Sequence, residues 1–146
     1  MKKRFQIFDN HLLVNSLAAW GSAQVIKTIL YAAIHKTLDM HRLFGDGGMP
    51  SGHSATVTAM ATTAALEYGL ASPIFTVAGI LAIIVMHDAM GVRREAGKHA
   101  KVLNDLMLSL RQDTPPEDVL KEFLGHTPLQ VCFGALLGFG IALLLE

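Results

Sequence analysis

The sequence predicts an all-α integral membrane protein: a helical bundle of about four spans with one further helix lying at the membrane surface. Hydrophobic residues make up 51% of the 146-residue chain and charged residues only 16%, against about 25% charged in an average soluble domain. The mean hydropathy is +0.41. Four mostly apolar stretches recur along the chain, each near the roughly 20 residues that a helix needs to cross a bilayer. A chain of this length forms one domain, residues 1–146.

The first stretch, 12–34, is apolar but carries Lys27 inside it. The second, 54–70, is short and rich in Ala and Thr. The third, 73–90, is the most apolar. The fourth, 128–145, contains "GALLGFG", where Gly134 and Gly138 have the spacing that lets helices approach closely in lipid. Four crossings place the connections around 35–53 and 91–127 on one membrane face. The link "EYGLASP" and both termini then lie on the other.

Within the longer connection, "REAGKHAKVLNDLMLSLRQ" reads as an amphipathic helix over 91–111. Ala96, His99, Ala100, Leu103, Leu106, Met107 and Leu110 share one face, and Arg94, Lys98, Lys101 and Asp105 another. Such a helix lies in the interface plane. "DTPPEDVLKEFLGH" predicts a second short helix, with Thr114 as N-cap, Pro115 in its first turn and Gly125 ending it.

The net charge of +0 provides no basic footprint for nucleic acid. The single cysteine, Cys132, excludes an intramolecular disulfide. "MKKRF" is basic, but "QIFDNH" interrupts it, so no cleavable leader is expected. One face holds Lys36, Arg42, Arg93, Arg94, Lys98, Lys101, Arg111 and Lys121, against Lys2, Lys3 and Arg4 opposite. The positive-inside rule would make the richer face cytoplasmic, but cations kept for an anionic ligand bias that count.

"GDGGMPSGHSATVTAM", residues 45–60, is the segment with chemistry in it. Glycines let a backbone turn sharply and approach a ligand. The helix that follows points its free N–H groups at this loop, a good place for a phosphate. His53 can supply a proton near neutral pH. A glycine-rich turn capped by Ser51 or Ser54, with His53 merely interfacial, would have the same letters.

"PSGHS" resembles the second signature of the phosphatidic acid phosphatase type 2 and vanadium haloperoxidase superfamily, and "GHTPLQVCFGALLG" resembles the end of its third. The arginine of that third signature would come from "GVRREAGK", so the motif is split by an inserted helix. "RLFGDGGMPSGHSA" and "HDAMGVRREAGKHAKVLN" resemble the divergent branch of the superfamily, short bacterial and plant membrane proteins. The resemblance runs from about residue 24 to residue 138.

The resemblance implies a phosphomonoesterase or pyrophosphatase acting on a lipid-linked phosphate in a bacterial inner membrane, with no metal or cofactor. It makes His126 the nucleophile that forms a phosphohistidine and His53 the general acid. Arg93 or Arg94, with Arg42, Lys36 and Lys27, would bind the phosphoryl oxygens, and the amides of Ser51 and Gly52 would add donors. His99, six residues after Arg93, has the unsplit spacing and competes with His126, but it falls on the apolar stripe.

Three departures stand out. Leu43 follows Arg42 where the family has proline, and Lys36 is one residue too near to it. Val92 replaces the motif serine. Gln130 replaces the aspartate that would orient the nucleophilic histidine, and an amide stabilises imidazolium less than a carboxylate does. Asp88 would fill that role, or else pair with Arg93 or Arg94. A metal set of His87, Asp88 and Glu95 is disfavoured, because adjacent helix residues do not converge on one ion. His11, His35 and His41 read as interfacial, and Glu67 as a solvated helix-end charge. The alternatives to a metal-independent phosphatase are a phosphate-binding scaffold that kept the fold and lost turnover, and a metal-dependent phosphatase. A homodimer would help to complete so small a bundle.

Overall fold

The computed structural model describes residues 6–37, 48–110, 119–120 and 125–146. After a 3-10 turn, Gln6–Asp9, five helices follow: α1 His11–His35, α2 Gly52–Tyr68, α3 Pro73–Met90, α4 Val92–Leu110 and α5 Pro128–Leu145. Among the described residues there is no strand. The helix starts follow from local chemistry. Asn10, Ser51, Ser72 and Thr127 cap α1, α2, α3 and α5 with their side chains, and Pro73 and Pro128 occupy first helical positions where no amide partner is needed.

Helix α1, the run from α3 into α4, and α5 are long and apolar enough to cross a membrane. Helix α2 has 17 residues, about 26 Å at 1.5 Å per residue, slightly under the hydrocarbon thickness. Its partners place it alongside α1. His11 meets Glu67 at 2.7 Å, Asn15 donates to the Thr63 hydroxyl at 3.0 Å, and Lys27 reaches Gly52. Thus α1 and α2 are antiparallel along their whole length, and the protein is a multi-pass helical bundle.

Helix α2 sits in the middle, touching α1, α3 and α5. Its interfaces are built from small residues. Ala19, Ala23, Ala55, Ala59 and Ala142 are fully buried, with Leu137 and Ile141 packed against them. Helices in lipid gain little from hydrophobicity, so close backbone approach holds them together. Gly134 and Gly138 lie so near the Ser51 and Ala55 carbonyls of α2 that an added methyl would collide with backbone. Large apolar side chains such as Ile29, Val77, Ile83 and Leu136 face outward, toward lipid. Helix α1 is turned inside out: Asn15, Ser16, Gln24, Lys27 and Thr28 share its buried side with Ala19 and Ala23, while Leu17, Val25 and Ile29 are exposed.

Helix α4 departs from α3 at Gly91 and, among the described residues, contacts no other helix. Its range agrees with the predicted amphipathic segment, but its register against protein does not. The buried residues are Gly97, Ala100 and Asn104, whereas Ala96, His99, Leu103, Leu106 and Leu110 are exposed. The reason is Asn104. Its amide donates to the Leu120 carbonyl and accepts from the Leu120 N–H, both at 2.9 Å. This pairing turns the face with small and amide side chains toward the chain and leaves the leucines facing out. The predicted helix starting at Thr114 and Pro115 falls outside the described residues.

Candidate active site

Two segments meet where α2 and α5 begin. Ser51 is fully buried. Its hydroxyl accepts from the Ser54 amide at 3.3 Å and the Ser54 hydroxyl at 3.0 Å, which starts α2. Its own N–H donates to the Gln130 carbonyl at 3.1 Å. The expectation that the Ser51 amide binds phosphate is therefore corrected: that donor ties α2 to α5. Gly52, the next residue, opens α2 beneath the edge of Trp20 and the Lys27 ammonium.

His126 is 4% exposed and is held from the other side. Its N–H donates to the Ala89 carbonyl at 2.9 Å, near the end of α3. Gly125 before it has φ +87 and packs on the Arg93–Arg94 backbone, with no room for a Cβ. The start of α5 is thereby pressed against the joint between α3 and α4. From these two anchors the His53 and His126 rings face each other, 6.3 Å between centroids and tilted by 54°.

The first turn of α5 also sets the chemistry of His126. Thr127 and Gln130 form a capping box. The Gln130 Oε1 accepts from the Thr127 N–H at 2.9 Å and lies 3.3 Å from His126 Nδ1. An amide oxygen cannot donate, so a hydrogen bond between them needs the proton on Nδ1. Gln130 brings no negative charge to His126.

The remaining expected residues divide. Lys27, 6% exposed, is threaded between glycines of the loop: its stem passes over Gly48, whose φ is +98, and its ammonium lies beside Gly52. Gly48 in "GDGGMPSG" is explained by that passage, since a Cβ there would lie 3.1 Å from the Lys27 stem. Arg93 Nε donates to Asp88 at 2.6 Å, so Asp88 holds Arg93, the second of its two expected readings. Arg94 is exposed beside Gly125. Lys36 is exposed and ends α1 in a left-handed conformation, φ 54, about 13 Å along the helix beyond Lys27. Arg42 lies outside the described residues. His99 is exposed on α4, and the ring beside His53 is that of His126.

Among the described residues, His87, Asp88 and Glu95 do not converge as metal ligands. His11, Glu67 and Glu146 do, with donor atoms within 4.8 Å of one another, at the opposite end of the bundle. Glu67 is therefore an exposed helix-end charge that also pairs with His11. Trp20 against Gly52 and the Asn104–Leu120 pairing were also not expected. An asparagine beside Ala100 and Met107, next to the apolar face of an amphipathic helix, was the one signal for the latter.

A family model described as the Divergent PAP2 family matches residues 8–141. The chain belongs to that family. It is also 43% identical over 152 residues to the uncharacterized membrane protein YuiD of Bacillus subtilis strain 168, covering 96% of each chain. No solved structure matches it. As a divergent PAP2 protein the chain is a multi-pass membrane protein of phosphatase-like type, and the described helices agree with that.

Proposed function

We propose that this protein hydrolyses a lipid-linked phosphate through a phosphohistidine on His126, without a metal ion. The observation that carries the proposal is the His53–His126 pair, 6.3 Å between ring centroids, with Nδ1 of His126 3.3 Å from the Gln130 amide oxygen. In this reading Nε2 of His126 attacks phosphorus and the bond to the leaving oxygen breaks. His53 gives that oxygen a proton. His53 then takes a proton from the water that cleaves the phosphorus–nitrogen bond. Lys27 and the amino end of α2 offset charge on the phosphoryl oxygens, and Arg93, held by Asp88 and with its backbone against Gly125, would join them.

The test is a phosphatase assay on purified protein in liposomes, with and without chelator. His126→Ala is expected to abolish turnover and the acid-labile phosphoenzyme. His53→Ala should slow an alkyl phosphate by about 10²–10⁴-fold but a nitrophenyl phosphate far less, because a poor leaving group needs the proton. His99→Ala should change little. Loss of activity in His99→Ala with full activity in His126→Ala would reverse the assignment.

A second reading rests on Gln130. Without a carboxylate on His126 the site would bind phosphate and turn it over slowly, as a scaffold. Gln130→Asp separates the two: raised activity or a shifted pH optimum is expected, because an anion beside imidazole stabilises its charged form.

A further inference from the structure

The bundle carries two apolar crevices of similar size at opposite ends. One, of about 350 Å³, lies between α1 and α5 and is closed above by Met49 and Pro50. The other, of about 330 Å³, lies among α2, α3 and α5, with Leu66, Phe75, Phe139 and Leu143 in its walls. Only the first adjoins the candidate active site. Its wall residues lie close along the chain to residues of the site: Ile26 precedes Lys27, Pro50 precedes Ser51, and Phe133 is three residues past Gln130. The second crevice begins at Ala61, about 12 Å along α2 from His53.

We infer that the crevice between α1 and α5 seats the hydrocarbon chain of the lipid phosphate whose headgroup sits at His53, His126 and Lys27; this rests on the phosphatase reading above. Along α5, Phe133 and Leu137 lie three and seven residues past Gln130, about 5 and 11 Å further into the bilayer. The crevice therefore leads from the site into the hydrocarbon layer. Phe133 and Leu136 are 46% and 61% exposed, so the wall opens sideways and a chain enters without leaving the membrane. The volume is at the lower end of the ~300–1,000 Å³ of small-molecule sites, enough for one chain segment. Charge and apolarity are arranged as in an amphiphile: Lys27 and the α2 amino end above, Ile26, Leu30, Phe133 and Leu137 below.

Crosslinking tests the seat directly. Protein in liposomes is irradiated with a long-chain alkyl phosphate carrying a diazirine on its first few carbons, and the labelled peptides are mapped. Labels are expected at 26–30 and 133–137, several-fold weaker with the corresponding alcohol. Equal labelling around Leu66, Phe75 and Phe139, or equal labelling by the alcohol, overturns the inference. This readout needs no turnover, so it decides the crevice even if the wild-type protein hydrolyses no phosphate and the phosphatase reading fails. Kinetics add a second arm. Leu30→Trp, which fills the crevice, should raise KM for a long-chain phosphate at least ~10-fold, the effect of losing burial of about two methylenes. Its kcat/KM for p-nitrophenyl phosphate should stay within ~2-fold of wild type, which also shows that the variant is folded. A Leu30→Trp protein in which both substrates change alike, or neither changes, refutes the seat.

Discussion

The α1–α2–α5 trio and the α3–α4 arm are built on different rules. In the trio, Ala and Gly bring backbones into contact, and polar pairs such as Asn15–Thr63 are buried between helices. Helix α4 instead touches α3 and is tied by Asn104 to Leu120, with its leucines exposed. The two imidazoles and Lys27 belong to the trio, since His126 leads into α5. Arg93 and Arg94 belong to the joint of the arm. The groups that would react thus have a rigid support, and part of the charge around them has a looser one.

The largest effect expected is on Lys27. Lys27→Met removes the one described ammonium beside Gly52, and inhibition by vanadate or phosphate should weaken by about 10–100-fold, the worth of one charge-assisted hydrogen bond. An unchanged inhibition constant would move the anion site to the arm. Next comes packing. Gly138→Ala forces a methyl against the Ala55 carbonyl and should cost about 1–3 kcal/mol in detergent unfolding, whereas Leu106→Ala on the arm should cost under about 0.5 kcal/mol. Equal losses would abolish the distinction between the two regions.

Asn104→Ala sharpens it. Both hydrogen bonds to Leu120 go, worth about 1 kcal/mol each. Amide exchange should rise around 119–126 and stay unchanged in the middle of α2 and α5. The smallest effect is at Glu95. The hydrogen bond from Lys98 holds its carboxyl below the usual carboxylate range. That stabilisation is present above the ordinary carboxylate range and lost as pH falls through the lowered value. Because the group is fully exposed, Lys98→Ala should leave the unfolding midpoint unchanged at neutral and at acidic pH.

The spans were legible because apolar runs of about the right length have one meaning in a membrane protein. Even the starts were nearly right, and Ser51 moved α2 two residues earlier than the predicted 54. The GxxxG pair was legible too, since small residues have one main use between helices in lipid. The register of α4 was not. Hydrophobic spacing marks the face that avoids water, and here lipid rather than protein lies on that side. At the site, the pairing of His53 with His126 came from the family resemblance, because no local pattern joins residues 73 positions apart. The role of Ser51 was hidden, since the sequence does not say which carbonyl an amide will find. The Asp88–Arg93 pair was one of two readings, and it needs the chain to break at Gly91.

Helix α1 has a consequence for how the chain enters its membrane. Its polar stripe, with Lys27 at its inner end, faces α2 and the loop before it. A lone helix would present that stripe to lipid, and a central lysine alone costs about 2.5–3.5 kcal/mol on insertion scales. Helix α1 by itself is therefore a poor free span. It becomes acceptable to the bilayer once α2 has arrived to cover it, so the α1–α2 hairpin, rather than either helix, is the smallest piece of this protein at home in lipid.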